Sequence, residues 1–292
     1  MTRLISLHRE LYSMLKHNQD GSFGTQAARR SILMQAATQL FKLGYENIAA
    51  KNLKLKHVQA LLNYWQEAGL SAATIKNRLS HLRWWSEKIG KINLIPQTNQ
   101  ELGVENRCYV DNDRNRAHGL TASQLKWIKS ERMELSLLLQ QHFGLRREES
   151  LKFQPSYADQ GDRLVLKDSW CKGGRARWIP IRTSEQHEIL QRCHQLIGKG
   201  SMVPDKKSYI QHVKAFENAC HRAGISNVHG LRHHYAQQRY RELTGWDCAK
   251  LPGGLERKAM TVEQWRKDRA VRLIISAELG HGRGDVVAIY IG

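Results

Sequence analysis

Six side chains, in chain order Arg146, Lys172, His229, Arg232, His281 and Tyr290, supply the groups that exchange of a phosphodiester bond requires. They stand in Gly144-Leu145-Arg146-Arg147-Glu148-Glu149, in the turn Lys172-Gly173-Gly174, in His229-Gly230-Leu231-Arg232-His233, and in Leu279-Gly280-His281 followed by Tyr290. Such an exchange needs a nucleophile, positive charge around the pentacoordinate phosphorus, and a proton for the leaving oxygen. A tyrosine nucleophile keeps the bond energy in a covalent phosphotyrosine, so rejoining needs no external energy. Arginine suits the nonbridging oxygens because its planar fork meets them bidentately and stays charged at any working pH. An imidazole accepts or donates a proton near neutrality. Cations fixed where charge develops can replace a metal ion. Each residue alone also fits a plainer role. Arg146 and Glu149 are neighbours on a charged helix start, Lys172 is a solvated turn lysine, and Tyr290 is an aromatic beside Val286, Val287 and Ile289. The ordered series is what points to chemistry.

The elements that must hold these residues read as mainly helical with a small β-sheet. Residues up to about 25 look like an arm ending in the turn-prone Asp20-Gly21-Ser22-Phe23-Gly24. Helical spacing of apolar residues then runs over about 26–43, 54–68 and 72–89, with stops at Gly44, Gly69 and Gly90 and a cap at Ser71. The third of these helices carries Lys76, Arg78 and Arg83, which could face a DNA groove or only solvent. Residues 101–118 are polar and aperiodic, a linker between 1–100 and 119–292. Beyond them Thr121-Ala122-Ser123-Gln124 has the form of a capping box. Helices are expected at about 122–130, 132–143, 184–197, 207–223, 230–243 and 262–279. Strands are expected at 163–166 and 177–181, joined through a tight Gly173-Gly174 hairpin.

Composition narrows the partners. With 292 residues, 41% of them hydrophobic, the chain is long enough for two ordinary domains and is not disordered. The formal charge of +19 is spread along the chain and favours a polyanion, because neutralising phosphates releases counterions. No apolar run reaches the roughly 20 residues that span a bilayer, and the first residues lack the apolar core of a signal peptide. Cys108, Cys171, Cys193, Cys220 and Cys248 form no CxxC pair, so a reducing cytoplasm without disulfides is expected. Cys220, His229 and His233 fit no common zinc spacing, and neither metal nor cofactor is expected.

Taken together, the blocks resemble the tyrosine recombinases, the phage-integrase family, over residues 119–292. The resemblance implies an N-terminal arm and helical core-binding domain in 1–100 and an α+β catalytic domain in 119–292. It implies a site-specific recombinase that cuts and rejoins DNA through a covalent 3′-phosphotyrosine. The partners implied are double-stranded DNA carrying specific sites, further copies of the chain in a tetramer, and accessory DNA-bending proteins. No membrane is among them, and the bacterial cytoplasm and nucleoid are the expected location. Residue by residue, Arg146 and Arg232 match the phosphate clamps, and Lys172 matches the general acid for the 5′-hydroxyl. His229 matches the residue that activates the tyrosine or bonds the phosphate, and His281 matches the second phosphate-bonding histidine. Tyr290 matches the nucleophile. Glu149 matches a supporting acid, and Arg175 and Arg177 on the hairpin join Lys76, Arg78 and Arg83 as expected DNA contacts.

The chain departs from the family pattern in three places. The interval from Arg232 to His281 is longer than is common, with the excess expected as a surface excursion in 243–268 around Pro252-Gly253-Gly254. His234 stands where threonine is usual. Only Ile291 and Gly292 follow Tyr290, so the tail that couples neighbouring subunits is expected to be absent or removed. Two other functions use the same residues: strand nicking and religation of the type IB topoisomerase kind, and a catalytically silent DNA-binding regulator.

Overall fold

The computed structural model describes residues 3–106, 110–111 and 114–292. Cys108 and part of the expected linker lie outside the described residues. The chain forms two compact units, 1–108 and 109–292.

In the first unit α1 (Arg3–His17), α2 (Phe23–Lys42), α3 (Leu55–Glu67) and α4 (Ala72–Lys88) share one core. Ser22 and Ser71 start α2 and α4 by accepting the N–H of the residue three positions on. Trp65 and Trp85 are fully buried, and their indole N–H groups donate to Gln39 Oε1 and Ala50 O, both at 2.9 Å. The expected arm is replaced by α1. Leu7 and Leu11 sit one helical turn apart and enter the core, while Glu10 accepts the Ala50 N–H at 2.7 Å. The beginning of the expected linker also packs here, through Leu102 and Val104.

The second unit holds α5 (Ala122–Trp127), α6 (Glu131–Phe143), α7 (Arg147–Leu151), α8 (Pro155–Ala158), β1 (Arg163–Leu166), β2 (Arg177–Pro180), α9 (Ser184–Ile197), α10 (Tyr209–Arg222), α11 (His229–Thr244), α12 (Val262–Glu278) and α13 (Ala288–Ile291). Capping boxes of the form Ser/Thr-x-x-Gln open α5, α9, α10 and α12. β1 and β2 pair antiparallel with Leu166 opposite Arg177, so their connection spans residues 167–176. It contains a 3-10 turn at Asp168–Trp170 and is no tight hairpin. Gly173 and Gly174 both take positive φ within it. One core joins Leu139, Phe143, Leu145, Ile179, Tyr235, Ile275 and Leu279 with Val287, Tyr290 and Ile291. A second, around Phe216 of α10, packs against Leu137 and Leu231. The expected excursion is exposed at Pro252 and Gly253 and again over 256–259. At its base Cys248 is buried, and Lys250 Nζ donates to Asp111 O at 2.6 Å.

Candidate active site

α11 runs through the middle of the site, and residues from both ends of the second unit close on it. Helical spacing sends Arg232 inward from α11, where it is fully buried. Its terminal nitrogens donate to Gly144 O, at the end of α6, and to Leu279 O, at the end of α12. Gly144 lies at φ 62°, and a Cβ there would come within 2.5 Å of the Tyr235 ring. That turn must be glycine for Arg232 to find its carbonyl.

Around the Arg232 guanidinium lie His281 and Tyr290. Arg232 Nε donates to Tyr290 Oη at 3.4 Å, His281 Nε2 stands 3.3 Å from the same oxygen, and an Arg232 terminal nitrogen lies 3.4 Å from His281 Nε2. α13 brings in the tyrosine, and the turn after α12 brings in the histidine. That turn is fixed by Ser276, whose carbonyl accepts the His281 N–H at 2.8 Å. Tyr290 is buried at 4% exposure, its ring 4.5 Å from that of His233 and 6.0 Å from that of His229, centroid to centroid. His281, not His229, is therefore the imidazole that reaches the hydroxyl.

Glu149 organises the positive side. Its fully buried carboxylate accepts the Arg146 backbone N–H at 2.6 Å and the Arg146 guanidinium at 2.8 Å. It also takes both terminal nitrogens of Arg177, at 2.8 and 2.7 Å. Burial opposes its charge, but the Arg177 hydrogen bonds and the charges of Arg177, Arg232 and Arg146 outweigh it and hold the carboxyl at about 2. Burial pushes the other way on the bases. Arg232 is lowered to about 10 by desolvation. Desolvation followed by the charges of Arg232 and Arg146 takes His281 down to about 3. His229 keeps one side open to solvent, yet the protein packed around it and the same two arginines bring it to about 4. At neutral pH these imidazoles are uncharged, so each has a ring nitrogen able to accept a hydrogen bond.

Not every expected residue joins the cluster. Lys172 is exposed in the β1–β2 connection and makes no hydrogen bond or ion pair with any described residue. Lys167 is held elsewhere, by Gln154 Oε1 at 2.8 Å and the Tyr157 ring. Arg175 is exposed on the same connection, close enough to Gly282 that a Cβ there would meet it at 2.4 Å. Arg177, expected as a DNA contact, is turned into the protein. It is buried, paired with Glu149 and bonded to Glu278 O, and β2 turns it inward because its position shares the buried face with Ile179. Arg83 is likewise occupied, donating to Pro96 O at 2.9 and 2.7 Å and to Asn99 Oδ1. Lys76 reaches Asn106 at 3.4 Å, and Arg78 lies over the Trp65 ring. Sequence reasoning missed Arg177 as the partner of Glu149, and it missed Gln237. Gln237 lies one helical turn beyond His233 and donates to the Tyr290 carbonyl at 2.9 Å. Its spacing on α11 was the available signal.

Proteins of known structure share this fold. A lambda integrase dimer bound to a COC′ core site superimposes at a TM-score of 0.60, over 97% of this chain and 77% of that one, at 16% identity. A lambda integrase tetramer bound to a Holliday junction gives 0.58, over 98% and 77%, at 17% identity. The Tn1549 transposon integrase in complex with circular intermediate DNA gives 0.54, over 100% and 95%, at 14% identity. These likenesses define the fold as that of the DNA integrases. In sequence, the N-terminal phage-integrase domain matches residues 4–95 and the integrase domain matches residues 121–238. The chain belongs to the phage-integrase family of tyrosine recombinases. No curated protein sequence matches it.

Proposed function

We propose that the protein is a site-specific DNA recombinase that cuts and rejoins strands through a 3′-phosphotyrosine, with four copies assembled on paired sites. The observation that carries this reading is the Tyr290 hydroxyl held between Arg232 Nε and His281 Nε2 in a buried, cationic cluster. Tyr290 Oη attacks phosphorus and forms the Tyr–O–P bond, and its proton passes to the neutral His281. The bond from phosphorus to the 5′-oxygen breaks. Arg146 and Arg232 carry the charge that gathers on the nonbridging oxygens, with His229 beside them. Lys172, on the exposed connection, supplies the proton to the departing 5′-hydroxyl once DNA draws that segment inward. Attack by the 5′-hydroxyl of another strand reverses each step and joins the exchanged ends.

The test uses nicked suicide DNA substrates taken from the flanks of the protein's own gene. A denaturant-resistant protein–DNA band is expected, lost in Tyr290→Phe with DNA binding retained. A band that persists in Tyr290→Phe removes Tyr290 as nucleophile. Lys172→Ala should stall cleavage of ordinary DNA and recover on a substrate with sulfur at the 5′ bridging position. Failure of that recovery removes Lys172 as the general acid.

A further inference from the structure

The nucleophile's backbone is tied to the segment through which the chain enters the second unit. Gln237 is 3% exposed and spends both amide N–H groups, on Tyr290 O at 2.9 Å and on Asn115 Oδ1 at 2.8 Å. Asn115 returns a longer bond to Gln237 Oε1 at 3.4 Å, and its Oδ1 also accepts the Ala117 N–H at 3.0 Å. The rest of this segment is anchored as firmly. Lys250 donates to the carbonyls of Asp111 and Arg114 at 2.6 and 3.3 Å, and the His118 ring meets Asn227 O at 2.6 Å. Lys250 is itself buried, so those carbonyls satisfy a charge that has little water around it.

We propose that Gln237 is a positioning residue for Tyr290, and that Asn115 fixes its amide, so that residues 114–118 set where the tyrosine hydroxyl sits relative to Arg232. The inference rests on Tyr290 being the nucleophile. α13 has only four residues, and a helix that short is marginal on its own backbone bonds. A displacement of about 1 Å at the attacking atom can cost on the order of a hundredfold in rate.

The experiment measures single-turnover adduct formation on the suicide substrate by the full chain, together with DNA affinity and melting temperature. Gln237→Ala and Asn115→Ala should each slow adduct formation by about tenfold or more, with DNA affinity and melting close to those of the parent. The double variant should be no slower than Gln237→Ala. Asn115→Asp keeps the acceptor oxygens and should restore the rate. A 5′ bridging sulfur, which relieves the need for a general acid, should leave Gln237→Ala slow. Parental rates in both alanine variants, or affinity and melting that fall in step with the rate, overturn the proposal. Adduct formation by Tyr290→Phe, run alongside, would instead remove the reading on which it rests.

Discussion

At the scale of single residues, Glu149 has the most to say about how the site is built. It faces three arginines and touches two, so its charge is what lets Arg146, Arg177 and Arg232 share one small volume. Replacing it by Gln keeps the shape but leaves Arg177 buried without a counter-charge. We expect Glu149→Gln to lower stability by about 3–5 kcal/mol, read from urea unfolding. The pH dependence follows from the direction of each shift. The Glu149 carboxyl lies at about 2 against an ordinary 4.5, so its stabilisation is fully present above 4.5 and is lost as pH falls toward 2. His229, His233 and His281 are held at about 4, 3 and 3 against an ordinary 6.5. The unfolded chain therefore takes up their protons first, and stability falls below pH 6.5 for the same reason. The melting temperature of the free protein should decline steadily on acidification from pH 6.5. Glu149→Gln should flatten the portion below 4.5. A melting temperature constant from pH 7 to 4 would contradict the histidine assignments, and an unaltered acid limb below pH 4.5 in Glu149→Gln would contradict that of Glu149.

At the scale of elements, α11 does the positioning, and the close approach of its first turn to the chain before α5 makes it possible. Gly230 is helical, where Ala would ordinarily be favoured by about 0.5–1 kcal/mol. Here a Cβ would stand 2.2 Å from the His118 ring and 2.6 Å from Arg116 O. Gly230→Ala should therefore destabilise the protein and also slow adduct formation, since His229 and Arg232 share that first turn and the next. Thermal melting and the suicide-substrate assay together check this. A stabilised variant would mean that the segment moves aside freely. The β1–β2 connection is the opposite kind of element. Its residues 172–176 are exposed, so the segment carrying Lys172 is free of the packing that fixes α11.

At the scale of the whole molecule, a charge of +19 makes salt the sharpest probe of DNA binding. Six to ten phosphate contacts would weaken affinity by about 10³–10⁵ between 50 and 200 mM monovalent salt. Lys76→Ala should lower the slope of that dependence by about one contact. Arg83→Ala should leave the slope unchanged, because its guanidinium already holds Pro96 and Asn99, and should cost stability instead. Equal slopes for Lys76→Ala and the parent would take Lys76 out of the interface. Plasmid carrying no recombination site separates the proposed recombinase from a topoisomerase, since only the latter should relax it.

The sequence by itself determined the longer helices after α1, the two paired strands and the order of the chemical residues. Each of these depends on local spacing. Thr121-Ala122-Ser123-Gln124 opens α5 as its pattern implies, and the block from His229 to His233 opens α11. Two local patterns were legible but underweighted: Leu7 and Leu11 spaced for α1, and Gln237 one turn beyond His233. The tertiary structure decided which charges are spent and which remain available. Arg175 and Arg177 stand two residues apart, yet one is exposed and the other is buried against Glu149, because Arg177 lies in β2 on the face it shares with Ile179 whereas Arg175 lies in the connection before the strand begins. The same holds for His281 reaching Tyr290 where His229 does not. Distances between residues far apart in sequence are set by how helices stack, and no periodicity within one helix encodes them.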